Sequence, residues 1–193
     1  MRHVTMALTV GLFGVWLIGV ESANAGDARS PADMKVPKGP AVTAAATRTS
    51  GRAGELFPVD VYLSNINDLG AYQVNVTMIG GAKGSLTLED VVIDKARPNY
   101  VFGKDNVIDV VDKKGPRAAA VRSSGSTNVG KPLYAATFYF RASPDATGAF
   151  TTNVGVGPVK SMLTDSKGRE IVVHTGKPAT ITITGAKRAH DDR

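Results

Sequence analysis

The sequence predicts an all-β fold, a sandwich or jelly roll, on three observations. Leu56–Ser64 and Ala71–Met78 alternate apolar with polar residues at a period of two, the pattern of strands buried on one face. Short runs of the same kind recur along the chain, punctuated by Gly and Pro. Beyond residue 25, no window keeps a helical period over three turns.

The elements follow in order. Arg2 and His3 precede the almost wholly apolar Met6–Val20, and Ala23-Asn24-Ala25 puts small residues where a signal peptidase reads. Residues 1–25 are expected to be a signal peptide cleaved after Ala25, because an apolar run of about 15 residues is short of the roughly 20 that span a bilayer. No Cys lies near the cut, which excludes a lipoprotein anchor. Gly26–Pro40 carries three prolines and two glycines and reads as a flexible linker.

The folded domain is expected over residues 41–185. Ala41–Thr47 is a weak first strand. In Leu56–Ser64, Phe57, Val59, Val61 and Leu63 form the inward set. A polar break at Asn65–Gly70, rich in turn formers, separates it from Ala71–Met78, where Tyr72, Val74, Val76 and Met78 point inward. Gly80, Gly81 and Gly84 lead to Leu86–Ile93, and Asp94–Asn106 reads as irregular. Val107–Val111 and Arg117–Arg122 flank a Lys-Gly-Pro connection that suits a hairpin, and Ser123–Gly130 reads as a polar loop. Leu133–Arg141, Ala149–Val156, Val159–Leu163, Glu170–His174 and Ala179–Thr184 supply the remaining strands. In the last of these, Ile181 and Ile183 point inward. Residues 186–193 form a charged tail without a reason to fold and without the look of a membrane anchor.

Composition excludes several function classes. Loss of the leader leaves 22 basic and 16 acidic side chains out of 23 and 17, so the net charge stays at +6. The basic residues are scattered rather than striped, which argues against nucleic acid. Trp16, the single tryptophan, goes with the leader, and the chain has no Cys. A domain of about 168 residues can hold itself by its core without disulfides. Only His174 and His190 would remain, far apart, so neither a Ser-His-Asp constellation nor a transition-metal ligand set is visible, and no cofactor is expected. The paired acids Glu89-Asp90, Asp109 and Asp112 read as solvated strand ends. Asp165-Ser-Lys-Gly-Arg-Glu lacks the alternating oxygen ligands of a calcium loop and reads as a turn.

The ordered set of these pieces resembles the cohesin domain family over about Ala41–Thr184. A Gly-containing turn precedes a long apolar strand (Gly51–Gly54, then Leu56–Leu63). A strand with a small residue, an aromatic and a Gln follows, in Leu69-Gly-Ala-Tyr-Gln-Val-Asn-Val. Leu133-Tyr-Ala-Ala-Thr-Phe-Tyr-Phe and Asp165-Ser-Lys-Gly-Arg-Glu-Ile171 match two later motifs. The resemblance implies a jelly-roll β-sandwich of about nine strands that is no enzyme. Its implied partner is a dockerin-bearing protein, calcium-loaded, in extracellular assemblies that often break down polysaccharide. The Asn and Asp that many cohesins carry on the outward face of the strand matching Ala71–Met78 are Ala71 and Gln73 here, and Met78-Ile79 replaces a Tyr-Asp pair. That points away from the usual dockerin type.

The candidate partner-binding residues are therefore Ala71, Gln73, Asn75 and Thr77 on that strand, with Arg122, Ser123 and Ser124 at the end of a strand expected beside it. An alternative is a carbohydrate-binding module, whose sugar rings stack on aromatic side chains. Tyr62 and Tyr139 are expected on outward faces and could offer a small platform to a polysaccharide. A third reading is an exported structural or adhesion sandwich whose edge pairs with another chain. In each reading the protein is expected to be secreted or periplasmic.

Overall fold

Period-two alternation becomes strand wherever the chain is described. The computed structural model describes residues 37–105, 107–155 and 160–185. The expected signal peptide, most of the linker and the charged tail lie outside those residues. In chain order the strands are β1 (Ala41–Ala46), β2 (Ser50–Arg52), β3 (Leu56–Ser64), β4 (Ile66–Gly80), β5 (Leu86–Val92), β6 (Val107–Asp112) and β7 (Arg117–Arg122). There follow β8 (Thr127–Val129), β9 (Leu133–Ala142), β10 (Gly148–Val154), β11 (Met162–Asp165), β12 (Glu170–Ile171), β13 (His174–Thr175) and β14 (Thr180–Thr184).

They form the two sheets of a jelly-roll sandwich, as the alternation predicts. One sheet runs β13-β1-β3-β9-β5. The other runs β12-β11-β4-β10-β14-β2, with β7 and β8 also pairing β4, and β6 pairing β7. The strand count exceeds nine because short pairings such as β2 and β8 add to the long strands. The expected strand Glu170–His174 also divides: β12 pairs β11 in one sheet and β13 pairs β1 in the other.

Inward residues fall where the pattern puts them. Phe57, Val59, Val61, Leu63, Val74, Val76 and Ile181 are fully buried, and Tyr72 and Ile183 nearly so. Each large apolar side chain moved from water into such a core contributes about 1.5–3 kcal/mol. Met78, near the end of β4, is only partly buried.

Three expectations change. Asn65–Gly70 is not a loop. Asn65 and Asp68 take left-handed backbone conformations (φ 54° and 63°), which Asn and Asp tolerate better than other side chains. The chain thus crosses from one sheet to the other at Asn65, and β4 starts at Ile66 with an irregular register against β8. Ile66 and Leu69 are fully buried as a result. Gly70 is needed for closeness rather than for its φ, because a Cβ there would lie 2.5 Å from the Asp165 carbonyl oxygen. Ser123–Gly130 is likewise not all loop, since β8 lies within it.

The irregular segment before β6 is part of the core. Tyr100, Val101 and Phe102 are buried although they lie in no strand. Val101 N donates to Tyr134 O and Tyr134 N to Asn99 O, both at 2.8 Å. The Phe102 ring stacks on Tyr72 at 5.6 Å between centroids. Upstream, Arg97 binds Asp60 of β3 and sits 4.1 Å from the centre of the Tyr134 ring. The segment therefore bonds to one sheet and stacks on the other.

Candidate protein-docking face

β4 is the axis of the face that carries the predicted residues. Backbone ladders place Val121 of β7 and Thr164 of β11 on either side of Ala71. One row further along, Ala119 and Met162 flank Gln73. Beyond β7, Ile108 of β6 stands opposite Val121 and Val110 opposite Ala119. Opposed residues on neighbouring strands share a face, so two rows cross four strands: Ile108, Val121, Ala71, Thr164, and Val110, Ala119, Gln73, Met162. Ile108 is 69% exposed, Val110 53%, Val121 50% and Met162 44%. The opposite faces of β7 and β11 supply Ala118, Ala120 and Leu163 to the core.

No charge sits in these two rows. Arg117 and Asp112, in phase with the rows, pair beside them at 3.7 Å, while Arg122, on the other phase of β7, pairs with Asp105 at 2.8 Å where the strand ends. The Asp112 carboxyl is held below its ordinary value by the Gly115 and Lys114 backbone amides. At the far end Asp68 is held low by the Ser126 and Ser166 hydroxyls. Contiguous exposed apolar surface of this kind, rimmed by polar groups, is typical of protein-contact sites.

The predicted residues divide. Ala71 and Gln73 are half-buried on the face, and Gln73 Nε2 donates to Lys160 O at 3.0 Å. Asn75 is not a surface residue: it is 1% exposed. Its Nδ2 donates to Pro116 O and its backbone N–H to Ser161 Oγ, both at 3.1 Å, so the flanking segments cover it. Thr77 lies beyond the reach of β7, opposite Asn153 of β10, and is half-buried. Arg122 is committed internally. It donates to Ser126 O and, at 2.9 Å, to Thr127 Oγ1, besides its pair with Asp105. Ser123 and Ser124 are exposed in the turn that Arg122 clamps.

The tyrosine platform does not form. Tyr62 is 6% exposed, its hydroxyl donating to Asp60 Oδ2 at 3.2 Å, because Arg97 and its segment fold against that part of β3. Burial pushes its phenol pKa well above the ordinary value. Tyr139 is half-buried between Pro58 of β3 and Asp90 of β5. His174 is an exposed residue of β13, and among the described residues no group of three or more His, Asp or Glu could hold a metal.

Sequence reasoning missed Ile108, Val110, Val121 and Met162, the most exposed apolar members of the face. A signal was present in Val107-Ile-Asp-Val-Val111, which places apolar residues on both parities. A two-stranded hairpin at a sheet margin cannot bury both sides, so one had to face outward.

The fold and the face define an all-β sandwich module with an apolar outer surface. No protein-family model and no curated protein sequence matches the chain. Solved structures do match. A non-cellulosomal cohesin from the hyperthermophilic archaeon Archaeoglobus fulgidus has a TM-score of 0.50 at 15% identity, covering 79% of this chain and 96% of that one. The second type II cohesin module of the cellulosomal adaptor scaffoldin ScaA from Acetivibrio cellulolyticus gives 0.52 at 14%, covering 76% and 98%. Type II cohesin A11 from Bacteroides cellulosolvens gives 0.51 at 14%, covering 75% and 99%. The fold is cohesin-like, as the ordered motifs imply.

Proposed function

We propose that this chain is a non-catalytic cohesin-like module that docks a dockerin-bearing protein on the β6–β7–β4–β11 face. The observation that carries the reading is the uncharged centre of that face, with Ile108, Val110, Val121 and Met162 exposed around Ala71 and Gln73. A few apolar anchors within a largely neutral patch are how such interfaces concentrate their binding energy. The apolar rows also account for the departure at Ala71 and Gln73: a partner here gains more from packing than from paired hydrogen bonds. Export through the N-terminal leader, to the periplasm or the medium, would bring the module to such partners. Assemblies acting on polysaccharide are the setting that the cohesin likeness suggests.

The test is isothermal titration against purified dockerin domains, with calcium and then with chelator. Binding in calcium that chelator abolishes is expected. Met162→Asp and Val121→Asp should each weaken it at least about tenfold, as expected for anchor residues, and leave the melting temperature unchanged. Binding undisturbed by both substitutions would remove this face from consideration.

A further inference from the structure

Among the described residues, the margins of the two sheets differ in how they are guarded. β12 and β13 are two residues long and β2 is three. β5 carries a bulge between Leu88 and Asp90 and the charged pair Glu89–Arg141. Short strands, bulges and charges are the devices that keep sheet edges from pairing with other chains. β6 carries an inward-phased charge, Asp109 opposite the buried Ala120, and the Lys113–Asp90 pair at 2.9 Å beyond its end, but it is neither short nor bulged. Its six residues, Val-Ile-Asp-Val-Val-Asp, run in unbroken register with β7 and include no Lys, Pro or Gly. Four of the six are β-branched and fit a pleated ladder. The one charge in the middle, Asp109, is neutralised by Lys95 Nζ at 2.5 Å. No described strand pairs the other side of β6.

We propose that the free edge of β6 pairs antiparallel with β6 of a second copy of this chain, joining two sandwiches through one continuous sheet. A second copy fits because, of the two axes that pair five of the six β6 residues with a second β6, at Asp109 (107–111) and at Val110 (108–112), the side chains favour one. Opposed residues must share a face, so the axis passes through a residue position rather than between two. An axis at Asp109 sets two carboxylates opposite each other, which is destabilising. An axis at Val110 sets Val110 against its own copy, Ile108 against Asp112 and Asp109 against Val111, with no like charges opposed. The isologous geometry closes after two copies, so it yields a dimer rather than a fibre. In that dimer Ile108 and Val110 of both copies continue the apolar rows across the junction. The pairing does not depend on the docking role of the face.

Sedimentation equilibrium of the intact protein tests this. A concentration-dependent mass of two chains is expected, returning to one chain in Val110→Lys with an unchanged far-ultraviolet circular dichroism spectrum, and with a melting temperature that no longer rises with concentration. The chain has no cysteine, so single substitutions read the register directly. Opposed residues in an antiparallel pair have Cα atoms about 4.5–5.5 Å apart, within the range a disulfide bridges. Under mild oxidation Val110→Cys should link two chains, whereas Ile108→Cys should stay unlinked. A single-chain mass at every concentration overturns the proposal, as does a two-chain mass that Val110→Lys leaves intact. Linking at Ile108→Cys as readily as at Val110→Cys overturns the register.

Discussion

Asp60 Oδ2 accepts a hydrogen bond from Arg97 Nη1 at 2.7 Å while Asp60 Oδ1 accepts one from Thr137 Oγ1 at 2.6 Å. The carboxylate, 5% exposed on β3, is thus held by an irregular segment on one oxygen and by β9 on the other. Tyr62 adds a third donor, and the Arg97 guanidinium packs on the Tyr134 ring.

Removing one partner of such a pair leaves a buried charge without compensation. For fully buried pairs that costs roughly 3–5 kcal/mol. The Arg97 side chain is 31% exposed, so solvent screens part of the effect. Arg97→Ala is expected to cost about 2 kcal/mol. Urea denaturation of Arg97→Ala, Asp60→Ala and the double variant measures this. The double variant should lose less than the sum of the singles, because the second substitution removes a charge already stranded. Strict additivity would show that the two groups act independently.

Asn75 and Gln73 lie two residues apart on one face of β4 yet should behave in opposite ways. Asn75→Ala removes the donor to Pro116 O from a buried site and should cost about 1–2 kcal/mol of stability. Gln73→Ala should change stability by less than about 0.5 kcal/mol, as for most surface substitutions. Thermal unfolding of the two variants side by side decides it. Equal small effects would return Asn75 to the surface.

Asp165 offers a prediction in pH. Its carboxyl is held below the ordinary aspartate value of 3.8 by the Arg169 backbone amide, with the Arg169 guanidinium and the Lys167 amide adding to it. A carboxyl whose folded pKa is depressed contributes stability above its unfolded pKa and loses it as pH falls through the folded pKa. Stability should therefore decline below about pH 4. Asp165→Asn should be less stable than the parent at neutral pH and converge with it in acid. A constant difference between the two denaturation curves across that range would exclude the linkage.

Much of the fold was legible in the sequence because a half-buried strand writes its inward face at every second position, as Phe57 to Leu63 and Tyr72 to Val76 do. What was not legible depends on contacts that no local pattern encodes. Tyr62 reads as outward on β3 and is outward-phased, but Arg97, distant in sequence, folds against it. Tyr100, Val101 and Phe102 carry no period, so nothing local separates them from a solvated loop. Asn75 sits at an outward position and is covered by Pro116 and Ser161 from two other strands' flanks. Of the candidate face, the β4 residues Ala71 and Gln73 were visible because strand phase fixes them. Ile108, Val110, Val121 and Met162 were not, because sequence does not show which strands lie beside β4.

The placement of these four side chains has an evolutionary consequence. β6, β7 and β11 are held in their sheet by backbone ladders, by Ala118, Ala120 and Leu163 beneath, and by the ion pairs Arg117–Asp112 and Arg122–Asp105. Outward substitutions on such strands cost little stability. Under the proposed docking role, partner choice can therefore change one exposed side chain at a time without disturbing the scaffold that presents it.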